Sequence, residues 1–468
     1  MTSSSSRVII NPMFCTFAIC YNFNMNLAFF LVVLNLFKLL IARFFPLIGD
    51  EAYYWLWGKH LDLSYVDHPP LIAYLYRALT FFLGDSELVI RLGAITLVLL
   101  ISLFVYLTAK ELFGQKAAVR AVLVFNLLPL FFGGGMFLVP QTLLFLFWTL
   151  SFYLLVKIIK TQKCYLWYLL GVTAGLGLLS DYIMILFFAG VGLYLLLDPK
   201  QRFWLTKKEP YLGVIISFLI FSPVIYWNIS HHFPSLFYHG ERAKAFNFSN
   251  ILYFVLLQMV LFTPPLFLTT VAKQIKTDLL GIFSTVVFLP FALLSPFVMI
   301  GGHWPATAYL PSIVSSDRLK KFAFRFTLIF ALFVNTSTLT YYLFLYPTPK
   351  EIVPNSHLAE YLKNLPPKTT IVANNLGLAA LITFYGKTKV YMPPGKHPQY
   401  DLWGKPKLHQ GDNVLYFALA DSQMLEKLKP LFNKVTADPH KRIFTKDADI
   451  PNKTEIFYGE SFKGGILP

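Results

Sequence analysis

Apolar runs of about 20 residues recur along the first 346 positions, each long enough to cross the hydrocarbon core of a bilayer. Inside lipid every backbone N–H and C=O must be satisfied internally, which an open sheet cannot do. The chain therefore reads as a polytopic α-helical membrane protein. Composition agrees: 56% of the 468 residues are hydrophobic and 14% charged, where soluble domains carry roughly a quarter charged. Mean hydropathy is +0.57.

The apolar runs place spans near 25–46, 88–109, 117–133, 138–157, 165–180, 182–198, 211–228, 251–271, 281–300, 304–316 and 326–346. That is a count of eleven, with thirteen as the alternative. Basic residues collect in every second connection: Lys110, Lys116 and Arg120, then Lys157, Lys160 and Lys163, then Lys200, Arg202, Lys207 and Lys208. Lys273 and Lys276 follow, and finally Arg318, Lys320, Lys321 and Arg325. Lys and Arg accumulate in cytoplasmic loops, so the poorly charged connections face outside. Two of those, 47–87 and 229–250, are long. The odd count also puts 347–468 outside, as a domain distinct from the transmembrane body of 1–346. Its stretches TTIVANN, TKVYM, NVLYFAL and TEIFYGES read as strands, and LGLAALITFY and DSQMLEKLKPLF as helices, which suits a small α/β domain.

The net charge of +16 follows this topology and has no basic, aromatic-laced face that would mark a nucleic-acid partner. Cys15, Cys20 and Cys164 lie in or beside apolar runs, so neither a disulfide framework nor a zinc site is indicated. No P-loop or dinucleotide fingerprint is present. Arg7 precedes an apolar stretch that lacks a small-residue cleavage site, and Met25 offers an alternative start.

The polar chemistry gathers where the chain leaves the first span: IGDEAYYWLWGKHLDLSYVDHPPLIAYLY, residues 48–76. Asp50 and Glu51 read either as functional carboxylates at the membrane edge or as helix caps. Tyr53, Tyr54, Trp55 and Trp57 suit an interfacial aromatic belt or a surface on which a sugar stacks. Pro69 and Pro70 suit the first turn of a new helix, with Asp67 or His68 at its N-terminus, where backbone donors favour an anion such as phosphate. The second outside loop holds His231, His232, His239, Glu241, Arg242 and Lys244, and a short third carries His303 in GGHWPA. Imidazoles and cations on the same side as the acids provide the positive surround that a departing phosphate needs. A divalent metal held by Asp67 and His231 is the alternative, though no ligand spacing supports it. No other cofactor is indicated.

With these residues assembled, the sequence resembles the membrane glycosyltransferases of family 39 and their bacterial relatives, which include protein mannosyltransferases and lipid A aminoarabinose transferases. GDEAYYWLW and LDLSYVDHPPLIAYL resemble the first outside loop of that family. GDSELVIRL, WYLLGVTAGLGLLSDY, SPVIYWNISHHFPS and HWPATAYL resemble later segments, and FYGKTKVYM and QYDLW the outer domain, so the likeness runs from about Asp50 to Trp403. It implies the GT-C fold, a polyprenyl-phosphate-linked sugar as donor, and transfer with inversion outside the bacterial cytoplasmic membrane. The acceptor is then a lipid such as lipid A, another glycan or a protein. It also implies Asp50 as the catalytic carboxylate with Glu51 in support. Tyr54, Tyr65, His68, His231, Arg242, Lys244, His303 and Gln141 are the expected contacts to the donor's phosphate and sugar.

Three positions depart from the family pattern. Gln141 stands where relatives carry a second acid, His68 where lipid A transferases carry lysine, and Asp181 where relatives often carry lysine. A transporter or flippase of a lipid-linked sugar, and a catalytically inactive family member, are the competing readings. The absence of an internal repeat counts against the first, and Lys38 inside the first span is left unexplained.

Overall fold

The structure is a computed structural model that describes residues 25–240, 245–345, 352–353, 355–419, 423–438, 442–443 and 454–468. Five helices are long and apolar enough to cross a membrane: Met25–Ala42, Glu87–Phe113, Pro140–Thr161, Glu209–Ser230 and one from Lys321 to Phe344. Two more crossings are bent. Gln115–Leu127 turns by 72° into Pro129–Met136, and Phe248–Phe262 turns by 114° into Pro264–Lys273, which makes up to seven. Proline causes both bends, because it lacks the N–H that would continue the helix and its ring crowds the preceding turn. Leu166–Leu178, Ile185–Leu197 and Leu279–Leu294 are shorter apolar helices packed among these.

The expected span 304–316 is not one helix. It is a 3-10 turn, Ala306–Tyr309, followed by Leu310–Val314 and a second 3-10 turn, Ser316–Arg318. Residues 305–316 are buried throughout, and irregular backbone at membrane depth is tolerated only inside protein. His303 lies at one end, in the same cavity as Asp50. At the other end the Asp317 carbonyl accepts from Arg120 at 3.3 Å, and the Arg318 guanidinium sits 4.3 Å from the Phe113 ring. Val98 and Ile101 line the cavity that holds His303, and from there to Phe113 the helix rises by about 20 Å at 1.5 Å per residue. The segment therefore runs from that cavity to the Phe113 end of the bundle as a broken, interior path.

At the Asp50 end, residues 47–87 fold into two helices, Gly49–Lys59 and Leu71–Leu83. Pro70 is the N-cap of the second, so Asp67 and His68 do not cap it, contrary to expectation. The Leu71 amide donates to the Leu179 carbonyl at 2.9 Å, and the Ser235 hydroxyl to the Tyr65 carbonyl at 3.1 Å. Residues 47–87 and 229–240 thus form one layer.

Beyond residue 355 the chain builds a four-stranded sheet ordered Thr369–Ala373, Asn413–Leu419, Thr454–Phe462, Phe432–Asp438. The first pair is parallel and the other two antiparallel. Phe432–Asp438 is a strand that the apolar patterning did not suggest, and TKVYM contributes only the single bridge Val372↔Tyr391. Alternation sorts the strands: Ile371, Ala373, Leu415 and Phe417 join the large core, while Val372, Val414 and Tyr416 face a smaller one. Helix Leu376–Gly386 packs on Gly49–Lys59, with the rings of Phe384 and Trp55 edge-on at 5.0 Å. The C-terminal segment therefore lies on the same side as residues 47–87.

The hinge of this layer is an ion pair. Glu51 and Arg91 are 0% and 1% exposed and directly paired. The Glu51 carboxylate also accepts the amides of Ile48 at 3.2 Å and Leu138 at 3.1 Å, and Arg91 donates to the carbonyls of Met136 at 3.1 Å and Pro46 at 3.0 Å. Removing one partner of a buried pair strands the other's charge at a cost of about 3–5 kcal/mol. Arg91→Ala is accordingly expected to lower the thermal unfolding midpoint of the detergent-solubilised protein by that much stability. A loss below about 1 kcal/mol, the worth of an exposed pair, contradicts the assignment.

Candidate active site

Asp50 and Glu51 are neighbours on Gly49–Lys59, and successive helical residues point about 100° apart. Glu51 turns inward to Arg91, whereas Asp50 is exposed and lines two adjoining cavities. Glu51 lines neither of them, so its expected place in the reaction is corrected: it is a positioning residue for the helix that bears Asp50.

The first cavity, about 260 Å³, is apolar and reaches into the bundle between Val98, Ile101, Leu130, Phe131 and Phe145. The second, about 490 Å³, sets the polar side chains Asp50, Asp67, His68, Gln141, Asp181 and His303 beside apolar ones such as Phe291, Leu294 and Ile300. Asp50, Gln141 and His303 border both, so the two spaces meet at these three side chains. Gln141 is on the first turn of Pro140–Thr161, two residues beyond Val139 and directly after the stretch held by the Glu51–Arg91 pair. His303 sits where the chain leaves Leu279–Leu294 and enters the broken interior segment.

One wall of this cavity, reaching to the border at Gln141, is a hydrogen-bonded cluster. The Asp181 carboxylate accepts from Gln141 Nε2 at 3.2 Å and faces His68 Nδ1 at 3.5 Å, while its other oxygen caps the turn at Ile183 at 2.9 Å. Residues 68, 141 and 181, each singled out in the sequence, are thus one constellation, and its acid is Asp181.

Asp67 contributes a third carboxylate. It accepts from the Tyr53 hydroxyl at 2.7 Å and lies 3.4 Å from His397 Nε2, and the neighbouring Val66 amide donates to the Gln399 side chain at 2.9 Å. Burial pushes the Asp67 carboxyl up, but His397 and the Tyr53 hydroxyl outweigh it and hold it below the usual carboxylate range. Tyr54 stands among all three acids. Burial first, then Asp50, Asp67 and Asp181, raise its phenol well above the ordinary value, so it stays protonated as a donor into the cavity. Its ring meets that of His68 edge-on at 6.2 Å.

Other expected contacts lie elsewhere. Tyr65 is 0% exposed, stacks on Trp57 at 4.0 Å and donates to the carbonyls of Trp57 and His60, so it braces the loop and does not face the cavity. His231 stacks on Trp227 at 4.3 Å with Nδ1 2.9 Å from the Trp227 carbonyl, and it too is absent from the cavity wall. Arg242 and Lys244 lie outside the described residues. Among the described residues no group of three or more His, Cys, Asp or Glu side chains is placed to hold a metal, and Asp67 and His231 do not form one.

Sequence reasoning missed His397, which joins the C-terminal segment to the loop bearing His68. It lies just before QYDLW, and a histidine ahead of a proline carries no chemical signature by itself. Asp181 was visible, but only as a charge of unexpected sign.

Comparison with known proteins follows the geometry. Residues 67–227 match the family model described as dolichyl-phosphate-mannose-protein mannosyltransferase. Over 183 residues the chain is 26% identical to the lipid A galacturonosyltransferase RgtD of Rhizobium johnstonii. That match spans 39% of this chain and 38% of the relative's length. Among solved structures, ArnT from Cupriavidus metallidurans bound to undecaprenyl phosphate superposes with a TM-score of 0.66 at 14% identity, covering 93% of this chain and 98% of that one. Its apo state gives 0.65 at 14% identity, with 92% and 98% covered. The resemblance to family-39 and related bacterial membrane glycosyltransferases is shown by these matches, and the GT-C fold with it.

His397 is the clasp between outer domain and loop. His397→Ala is expected to raise amide exchange at residues 62–68 about tenfold or more, equivalent to about 1.4 kcal/mol of local protection and within the worth of a hydrogen bond to a charged group. Unchanged protection in hydrogen-exchange mass spectrometry contradicts this.

Proposed function

We propose that the protein transfers a sugar from a polyprenyl-phosphate-linked donor to an acceptor hydroxyl on an envelope molecule, outside the cytoplasmic membrane, with Asp50 as the catalytic carboxylate. The observation that carries the reading is the junction, at Asp50, Gln141 and His303, of an apolar cavity with one into which carboxylates and imidazoles are gathered. A lipid-linked sugar is amphipathic in the same sense. Its prenyl chain suits the space lined by Leu130, Phe131 and Phe145, its sugar suits the polar chamber, and its anomeric carbon then falls at the border where Asp50 stands.

The chemistry at that border is an inverting displacement. The acceptor oxygen attacks the anomeric carbon as Asp50 takes its proton, and the carbon–oxygen bond to phosphate breaks with its electron pair leaving on the phosphate. His303 and His68 line the chamber, and their imidazoles suit contact with the departing anion. The acids Asp67 and Asp181 and the Tyr54 phenol suit hydrogen bonds to sugar hydroxyls, and a carboxylate-lined wall also stabilises positive charge that develops on the ring. The basic connections at Lys110, Arg120 and Arg318 support an outward placement of the chamber, since they cluster at the other end of the bundle. The segment 347–468 is then an outer domain on the same side as the site. The relatives act on lipid A in one case and bind undecaprenyl phosphate in another, by their names, and a glycolipid acceptor is the corresponding reading here.

The two bent crossings favour one competitor, a carrier of a lipid-linked sugar, because broken helices also build transport sites. A detergent-solubilised assay separates the two, since no compartment exists there and only an enzyme forms a new glycosidic bond. With polyprenyl-phosphate sugars and bacterial envelope glycolipids as substrates, mass spectrometry is expected to detect glycosylated acceptor. Asp50→Asn is expected to lower its rate by about 10²–10⁴ with helical circular dichroism unchanged. Transfer by Asp50→Asn at the wild-type rate sinks the catalytic assignment.

A further inference from the structure

A separate apolar cavity, about 140 Å³, lies among helices Leu166–Leu178, Ile185–Leu197 and Glu209–Ser230. Trp167, Phe187, Leu195 and Val214 are on its walls, with Leu205 from the connection that precedes Glu209. None of its lining residues borders the cavities at Asp50. Its Trp167 end is remote from them. From Trp167 to Leu178 the helix rises about 17 Å at 1.5 Å per residue, and the next carbonyl, that of Leu179, already accepts from Leu71 in the outer layer.

Glycines shape the space. A Cβ on Gly171 would run into the Gly213 backbone, so those two helices touch chain to chain, and the Ser217 hydroxyl donates to the Gly171 carbonyl at 2.7 Å. Gly192, on the third helix, also lines the cavity, but a Cβ there meets nothing within 4 Å. The gap is therefore left open by Gly192. Tyr211 and Val214, on its wall, are exposed, so it opens sideways onto the apolar surface of a spanning helix. One polar group is buried at this wall. Trp167 is 2% exposed, and its indole N–H has no hydrogen-bond partner among the described residues. Buried donors are nearly always paired, and a hydrocarbon chain alone offers no acceptor, whereas a lipid ester does.

The connection at the Trp167 end is basic and pinned in place. Arg202 donates to the Leu196 carbonyl from Nε at 3.1 Å and from a terminal nitrogen at 2.8 Å, and the Tyr211 hydroxyl donates to the Leu205 carbonyl at 2.7 Å. Lys207 and Lys208 stand between Leu205 and Pro210, both of which line the cavity. The two lysines are exposed and form no ion pair among the described residues. Lys163 and Lys200 are exposed in the neighbouring turns. Of the acids here, Asp198 is engaged by the Tyr194 hydroxyl at 2.8 Å and the Lys200 amide at 2.9 Å, and Glu209 is half-buried. An apolar slot, a buried donor and free ammonium groups follow one another toward the end of the bundle. A phospholipid presents acyl chain, ester carbonyl and phosphate in the same order of depth, and basic pockets between spanning helices suit anionic headgroups. A zwitterionic headgroup carries its own cation and gains less from the lysines.

We infer that this cavity binds an acyl chain of an anionic phospholipid from the leaflet away from Asp50, with the lipid ester accepting from Trp167 and the phosphate held at Lys207 and Lys208. The site is separate from the cavity assigned to the sugar donor and takes no part in the bond-making step. It stands or falls independently of the glycosyl-transfer reading.

The test is native mass spectrometry of the full chain in detergent, titrated with phosphatidylglycerol or with phosphatidylcholine of the same acyl chains. The expected result is a single-lipid adduct that favours phosphatidylglycerol by about tenfold. Lys207→Glu/Lys208→Glu is expected to remove that preference, whereas Lys320→Glu/Lys321→Glu, an exposed basic pair on another connection, keeps it. Gly192→Leu fills the gap without a clash and is expected to weaken both lipids. Trp167→Phe keeps the ring, loses the donor and is expected to weaken phosphatidylglycerol about threefold or more. Equal affinity of the wild type for the two lipids overturns the proposal. So does an adduct that Gly192→Leu leaves intact, because the lipid then lies elsewhere, and so does equal loss of preference in the two charge-reversal variants, because net charge is then responsible. Circular dichroism spectra matching the wild type exclude misfolding as the cause of lost binding. Phosphatidylglycerol with brominated acyl chains gives a second readout: it is expected to quench tryptophan fluorescence more than brominated phosphatidylcholine, with the excess reduced in Trp167→Phe. An excess unchanged in that variant contradicts the placement.

Discussion

The Glu51–Arg91 ion pair holds the candidate site together. It is fully buried, a placement that a hydrophobic pair would fill at least as stably, so its value lies in geometry. Its four outward bonds gather Pro46 and Ile48, which lead into the Asp50 helix, and Met136 and Leu138, which lead into Gln141. The Tyr76 hydroxyl adds a bond to the Leu138 carbonyl at 2.8 Å, fastening the second outer helix to the same point. Asp50 and Gln141 come from segments about 90 residues apart in sequence, and this one pair sets their separation.

Much of this was legible in the sequence, to different depths. Length and apolarity exposed the membrane-spanning class, because hydrocarbon leaves a helix few alternatives. Charge asymmetry ordered the loops by side, and the position of Asp50 at the exit of the first span marked it as special. Adjacent acids were harder. Asp and Glu side by side look equivalent in a string, and only the helical phase decides that one faces the cavity and the other a buried arginine. Arg91 itself was read merely as part of an apolar span, and its partner was 40 positions away. Tyr65 and His231 failed for a related reason: an aromatic or imidazole near a polar loop satisfies its hydrogen bonds locally more often than it waits for a ligand, as both do here.

The departures at residues 68, 141 and 181 taught the opposite lesson. Taken one at a time each looked like a loss: a weaker cation, a missing acid, a reversed charge. In space they lie together, since the Asp181 carboxylate accepts from the Gln141 amide and faces His68. A string of residues does not reveal such a cluster, because its members come from segments far apart in sequence. The side chains around the chamber now carry three carboxylates against the imidazoles of His68 and His303. That balance suits hydroxyl-rich sugar and the carbon that becomes positive more than it suits a polyanion. It is one reason to place the donor's phosphate at the border with the apolar cavity instead of deep in the polar one.

Lys38 completes this picture of the border. A lysine within a spanning helix is costly unless its ammonium finds partners inside the protein. Here it donates to the Phe131 carbonyl at 2.9 Å and lies 5.2 Å from the Phe132 ring. Phe131 belongs to the short helix that begins at Pro129, immediately after the 72° bend, where the usual run of intrahelical bonds is interrupted. The lysine supplies a donor that the broken helix lacks. Phe131 and its neighbours Leu130, Gly134 and Gly135 form a wall of the apolar cavity. The bend opens that cavity beside Asp50, and Lys38 is what allows the bend to exist in lipid. A charge that looked unexplained in the first span is therefore part of the same construction as the carboxylate at its end.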